Sequence, residues 1–311
     1  MFHLTLNTAV VMLVILSILG GATLYVRQLQ RRHPERDDSE LKQRMRSWWI
    51  MIGAVFTVLL LPQPVVVAAI AVLSYLALRE FLSIIPTRLA DRRAIFWAYL
   101  MIPLQYYWIA IGWYGLFVIF IPVYVFLFLP FRLVVTGETD GFINAVGTLQ
   151  WGVMLTVFSI SHLAYLFVLP PGQNPSGGGA GLVLYLLLLT EGNDVAQYVW
   201  GKSLGQRKII PKVSPNKTWE GFLGGVATTL LLGLVLSAVL TPLSLSEGAL
   251  AGFLIGISGF IGDVCVSAVK RDLRIKDTGT LIPGHGGILD RLDSLTYTAP
   301  LFFHFVYYLR Y

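Results

Sequence analysis

The chain has little charge and almost no cysteine. Of its 311 residues only 13% are Asp, Glu, Lys or Arg, about half the ~25% of a soluble domain. A surface so poor in charge faces something apolar, and 56% hydrophobic residues fit that reading. One cysteine, Cys265, excludes an intramolecular disulfide, and no Cys/His spacing describes a zinc site. A cleavable leader is also missing. Met1 to Tyr25 has no basic start, and Arg27, Arg31 and Arg32 follow it, so this stretch reads as a retained first span. With ~20 residues per span, the length accommodates eight to ten spans and no separate soluble domain.

What is there is a series of apolar runs, at about 8–26, 47–61, 65–78, 94–111, 114–131, 148–169, 180–200, 221–240, 248–269 and 292–310. They predict an all-α integral membrane protein, a polytopic bundle of about 8–10 transmembrane helices. Residues 1–170 form an N-terminal membrane-helix region, and 171–311 a C-terminal catalytic region with loops 201–218 and 270–291. The pair 47–61 and 65–78, split by Pro62-Gln63-Pro64, reads either as two thin spans or as a re-entrant hairpin. Gly172 to Gly181 reads as a flexible joint between spans.

Charge orients the bundle. If every run spans, 22 of the 23 Lys and Arg fall in alternate loops, seven of them in 27–46 and five each in 201–218 and 270–291. Basic loops stay cytoplasmic, which predicts ten spans with both termini outside. The net charge of +6 follows from the same rule and does not call for nucleic acid.

Ionisable groups within apolar runs cost about 2.5–3.5 kcal/mol each on insertion scales and mark function. Glu191, Asp194 and Tyr198 share one helix face by their i, i+3, i+7 spacing. Asp263, Ser267 and Lys270 make a stripe descending to the basic side, and Asp290 and Asp293 stand i, i+3 before the last run. Carboxylates gathered at one depth need a cation between them, and Mg²⁺ takes carboxylate oxygens while sharing its shell with phosphate. Beside them lie basic loops and Pro283-Gly284-His285-Gly286-Gly287, whose glycines allow an anion-binding nest of N–H groups. Acids for metal and bases for phosphate, in a membrane, point to phosphoryl or nucleotidyl transfer involving a lipid. Structural readings compete: Thr218 and Glu220 serve equally well as the cap and first turn of the next helix, and His162 reads as a hydrogen-bonded residue between helices.

The order Ser267, Lys270-Arg271, Lys276-Asp277, Gly279, Pro283-Gly284-His285-Gly286-Gly287, Asp290-Arg291 and Asp293 closely resembles the signature of the phosphatidate cytidylyltransferases. Asn193-Asp194 with Tyr198, and Ser214-Pro215-Asn216-Lys217-Thr218-Trp219-Glu220-Gly221, are similar to that family too, so the likeness covers about residues 180–311. It implies transfer of CMP from CTP to phosphatidate, or to a related lipid phosphate, in the cell (inner) membrane with the site facing the cytoplasm. By the resemblance Asp263 and Asp290 hold Mg²⁺, alone or with K⁺, and Asp194 and Asp293 are additional or supporting ligands. Lys270, Arg271, Lys276 and His285 meet the nucleotide phosphates or pyrophosphate. Lys217 and Asn216 position phosphate, with Ser214, Gly284, Gly286, Gly287 and Arg291 completing the substrate site. Membrane lipids are the further partner, and a homodimer stays open. Gln197 departs from the family, which carries Ala there, and the basic stretch from Arg27 to Arg46 has no family counterpart to place it. An ion-coupled transporter is the rival class, with Glu191, Asp194 and Asp263 as its ion path, although no inverted repeat is visible.

Overall fold

The structure is a computed structural model that describes residues 4–32, 39–282 and 286–311. Among these, ten helical rods take up the ten apolar runs: α1 Leu6–Arg32, α2 Ser39–Leu59, α3 Gln63–Ile84, α4 Arg92–Ala110, α5 Tyr114–Val134, α6 Phe142–Val168, α7 Gly178–Leu204, α8 Trp219–Leu240, α9 Leu245–Asp272 and, after the short α10 Leu289–Leu292, α11 Leu295–Arg310. Six of them (α1, α3, α5, α6, α8 and α9) are by themselves long and apolar enough to cross a membrane. This is a polytopic helical membrane protein, as the runs predict. Pro62-Gln63-Pro64 separates two distinct helices, α2 and α3, with a proline in the first turn of α3, where its missing N–H costs nothing.

A small departure from all-α lies in the 201–218 loop. Lys208–Ile210 (β1) and Ser214–Thr218 (β2) pair antiparallel, with Lys208 opposite Thr218 and Ile210 opposite Ser214. Thr218 ends β2 and starts α8. Its hydroxyl accepts the Gly221 N–H at 3.1 Å, and Glu220 takes the N–H groups of Gln206 and Arg207 at 3.0 and 3.3 Å. Thr218 thus fills the capping role, the simpler of its two readings, whereas Glu220 ties the first turn of α8 to the segment that follows α7.

The predicted joint at 172–181 is corrected. Pro171–Gln173 is a single 3-10 turn and α7 begins at Gly178. The glycines serve close packing, since a Cβ on Gly177 would overlap the Leu240 carbonyl and one on Gly179 that of Phe167. Helices α8 and α9 approach in the same way. A Cβ on Gly252 would stand 2.9 Å from Leu230 Cα, and one on Gly256 3.1 Å from Val226 Cα. Small residues let membrane helices pack backbone to backbone, and Tyr185 ties α7 to both by donating to the Gly233 and Gly248 carbonyls at 3.0 Å each.

One apolar core runs from Met12 to Val306 through both regions of the chain. His162 is fully buried in it, its Nδ1 2.8 Å from the Phe158 carbonyl of its own helix and its ring packed on Phe117 and Phe303. The contacts also sort the loops into two ends. At one, Thr5 donates to Ser176 O and Thr8 to Gly177 O, and Glu247 pairs with Arg310. At the other meet the ends of α3, α7 and α9, the starts of α2 and α8, and the 270–291 loop. The basic loops sit at this second end.

Candidate active site

Between those helix ends lies a cavity of about 1370 Å³, larger than the ~300–1,000 Å³ of a single small-ligand pocket. Its acidic wall comes from three helical segments. Glu191 and Asp194 project from α7, Asp263 from α9, and Asp290 and Asp293 from the turn of α10. Asp194, Asp263 and Asp293 lie close enough for their charges to act on one another. The basic wall is Lys217 and Lys208 of the hairpin, Lys202 of α7, Lys276 and Arg291, with Asn216, Ser214 and Gly286 beside them. The three stretches of sequence that carry the resemblance therefore contribute to one space.

The partners differ from carboxylate to carboxylate. Asp263 is held by Lys217 Nζ at 2.7 Å and by the Ser267 hydroxyl at 3.2 Å, so the expected stripe on α9 forms. Lys217 also donates to Gln197 Oε1 at 2.9 Å. Asp194 accepts the Ser294 hydroxyl on Oδ2 at 3.0 Å, while its Oδ1 is buried with no partner. A carboxylate oxygen only accepts, so this atom lacks a donor or a cation. The Arg291 Nε is likewise buried without a partner, an unused donor on a residue that lines the same cavity.

Asp290 is more fully engaged. Lys270 Nζ lies 2.9 Å from Oδ1, and Oδ2 accepts the Thr278 N–H at 2.8 Å, the Thr278 hydroxyl at 3.0 Å and the Gly287 N–H at 2.9 Å. Burial alone would raise this carboxyl, but the Lys270 ammonium and the N–H donors outweigh it and hold Asp290 below the usual carboxylate range. Two expected phosphate binders are occupied elsewhere, away from the cavity wall. Lys270 is spent on Asp290, and Arg271 Nε donates to Val213 O at 3.1 Å, pinning the hairpin. The Gly287 N–H, expected in the nest, is taken by Asp290. Gly284 and His285 lie outside the described residues. Among the described residues no three His, Cys, Asp or Glu side chains form a ready-made metal cluster.

Two contributions have no motif in the sequence. Gln43, Arg44 and Trp48 at the start of α2 line the cavity, so part of the basic stretch 27–46 belongs to the site as well as to topology. Glu80 near the end of α3 accepts the Ile288 and Leu289 N–H groups at 2.9 Å each. Glu80 lies just past the apolar run at 65–78, beside Arg79, and no motif or spacing marks it.

The chain is 47% identical over 287 residues to "Uncharacterized protein YnbB" of Escherichia coli, covering 92% of this chain and 94% of that one. It is 40% identical over 136 residues to a phosphatidate cytidylyltransferase of Haemophilus influenzae, 42% of this chain and 47% of that one. With the enzyme of the same name from Synechocystis it shares 49% over 114 residues, 36% and 39% of the two chains. The match thus spans about half or less of these two enzymes, against nearly all of the E. coli protein. The family model described as "Cytidylyltransferase family" matches residues 42–309, from the start of α2 to the end of α11, and the chain belongs to the cytidylyltransferase family.

Proposed function

We propose that this membrane protein transfers CMP from CTP to phosphatidate, forming CDP-diacylglycerol and pyrophosphate, at a site open to the cytoplasm on the inner membrane. The observation that carries the reading is the single cavity in which Asp194, Asp263 and Asp293 face Lys217, Lys276 and Arg291. In the reaction a phosphatidate oxygen bonds to the α-phosphorus of CTP while the bond from that phosphorus to the bridging oxygen of the β-phosphate breaks. Pyrophosphate leaves with the electron pair. Both reactants are anions, and the nucleophile is already ionised near neutral pH, so the protein's task is to bring them together and balance charge. Lys217, Lys276 and Arg291 supply that balance, and Asn216 and Ser214 offer neutral polar contacts.

The donor set fits a hard divalent cation. The unpartnered Asp194 Oδ1 needs a positive neighbour, and Asp263 and Asp293 line the same cavity near it. These three would hold Mg²⁺, alone or with K⁺, which supplies neutralisation of phosphate charge. Asp290, with four donors already on its two oxygens, serves in this arrangement to fix the loop. The basic residues gathered at the cavity end favour cytoplasmic exposure.

A second acceptor has an observation in its favour. Similarity to the E. coli protein is nearly full-length, whereas the named phosphatidate enzymes match only in part, so the acceptor-binding portion is free to suit another lipid phosphate. One experiment tests both readings: labelled CTP and purified protein in detergent, over a panel of lipid phosphates. Pyrophosphate release that needs both Mg²⁺ and phosphatidate supports the first reading, and dependence on a different lipid phosphate the second. Release with no lipid phosphate, or none with any member of the panel, would remove the reading altogether.

A further inference from the structure

Glu80 belongs to the N-terminal region, yet each described hydrogen bond of its carboxylate is with the loop that carries the signature. Its Oε2 accepts the Ile288 N–H and its Oε1 the Leu289 N–H, both at 2.9 Å, and the Thr278 hydroxyl donates to Oε1. Thr278 is at the same time a ligand of Asp290, through its N–H at 2.8 Å. One threonine therefore joins two carboxylates that stand 210 positions apart in the chain.

The glycines of this loop are shaped around the two acids. A Cβ on Gly279 would stand 2.8 Å from Glu80 Oε2, and one on Gly287 would overlap the Glu80 carboxylate itself. At Gly286, where φ is +81°, a Cβ would stand 2.6 Å from Asp290 Oδ2. The loop thus closes on Glu80 as tightly as on Asp290. Gly286, Asp290, Arg291 and Asp293, all on the cavity wall, lie within a few residues of the Ile288 and Leu289 N–H groups that Glu80 holds.

We propose that Glu80 is a positioning residue for nucleotidyl transfer, the anchor by which α3 sets Thr278 and residues 286–290 so that Arg291 and Asp293 line the cavity. The inference rests on the function proposed above. Glu80 itself does not line the cavity. It acts through the loop, and a displacement of about 1 Å in such a support costs on the order of 10²-fold in rate.

The test is a steady-state comparison of wild type, Glu80→Gln, Thr278→Val, Gly287→Ala, Glu80→Ala and Glu80→Ala/Gly287→Ala, purified in detergent, with Mg²⁺, CTP and the lipid phosphate active with wild type. Glu80→Gln keeps the shape but offers one acceptor oxygen where the loop presents three donors. It should lower kcat by ~10 to 100-fold with the KM for the lipid phosphate within about threefold, the mark of a loss felt in the transition state. Thr278→Val removes the hydroxyl from both Glu80 and Asp290 but leaves Asp290 its Thr278 N–H, Gly287 N–H and Lys270 partners. It should reproduce the loss, which also covers a Glu80→Gln protein that fails to fold. Gly287→Ala should be severely impaired alone, yet add little to Glu80→Ala, because the smaller residue vacates the space that the methyl needs. A wild-type kcat in both Glu80→Gln and Thr278→Val, or simple additivity in the cycle, overturns the proposal while leaving the function standing. A wild type that turns over no CTP with any lipid phosphate removes both.

Discussion

Lys217 Nζ lies 2.7 Å from Asp263 Oδ2, joining the hairpin after α7 to the C-terminal half of α9 at the cavity. The pair is half-buried, with side chains 18% and 22% exposed. If Asp263 is a core cation ligand, Asp263→Asn should lower turnover by ~10²-fold or more, about 2.7 kcal/mol of barrier, while the protein elutes and melts as wild type. Lys212→Gln, which removes an exposed charge from the hairpin turn, should change the rate little. Assays of both variants within tenfold of each other would take Asp263 out of the chemistry.

Gly262 prepares the same carboxylate. A Cβ there would stand 2.5 Å from Asp293 O and 3.1 Å from Ser294 Cα, so α9 reaches the break between α10 and α11 only because this residue has no side chain. Gly262→Ala should cost about 1–3 kcal/mol of stability through overpacking, lower the thermal midpoint, and reduce activity in the fraction that folds. An unchanged midpoint and rate would show that the contact yields freely.

Asp290 sets a pH dependence with a definite sign. Its carboxyl is held below the usual range by Lys270, Gly287 and Thr278 against the opposing effect of burial. A depressed folded-state value means that the stabilisation is complete above the unfolded value of ~3.9 and is lost as the pH falls through the lower folded one. Asp290→Asn should therefore be less stable than wild type at pH 7, with the gap closing below about pH 4. Thermal melts of both proteins across that range check it, and a gap that persists at the acid end would contradict the charged network.

Orientation is tested from outside. On a Cys265→Ala background, Ser203→Cys at the end of α7 should resist a membrane-impermeant thiol reagent in intact cells, and Gln173→Cys in the 3-10 turn should react. Both native residues are exposed in the structure, so burial does not confuse the result. Labelling at residue 203 would invert the bundle and remove access to cytoplasmic CTP.

The sequence alone determined a polytopic helical bundle, the approximate places of its ten rods and the end at which the basic loops gather, because hydropathy and the Lys/Arg bias act locally and are written in order along the chain. Asp194, Asp263 and Asp293 were legible for the same reason: a carboxylate in an apolar run stands out wherever it ends up. Which charges meet was not legible. Lys270 and Lys217 are both basic residues in signature stretches, yet only the fold sends one to Asp290 and the other to Asp263. Gly172 to Gly181 read as flexible because glycine in isolation is permissive, and only the carbonyls of Leu240 and Phe167 packed against it show that the absent side chain is a matter of space. Glu80 was the furthest from view. Its role depends on N–H groups of Ile288 and Leu289 more than 200 positions away, and hydrogen bonds to backbone carry no residue identity that a sequence pattern could reveal.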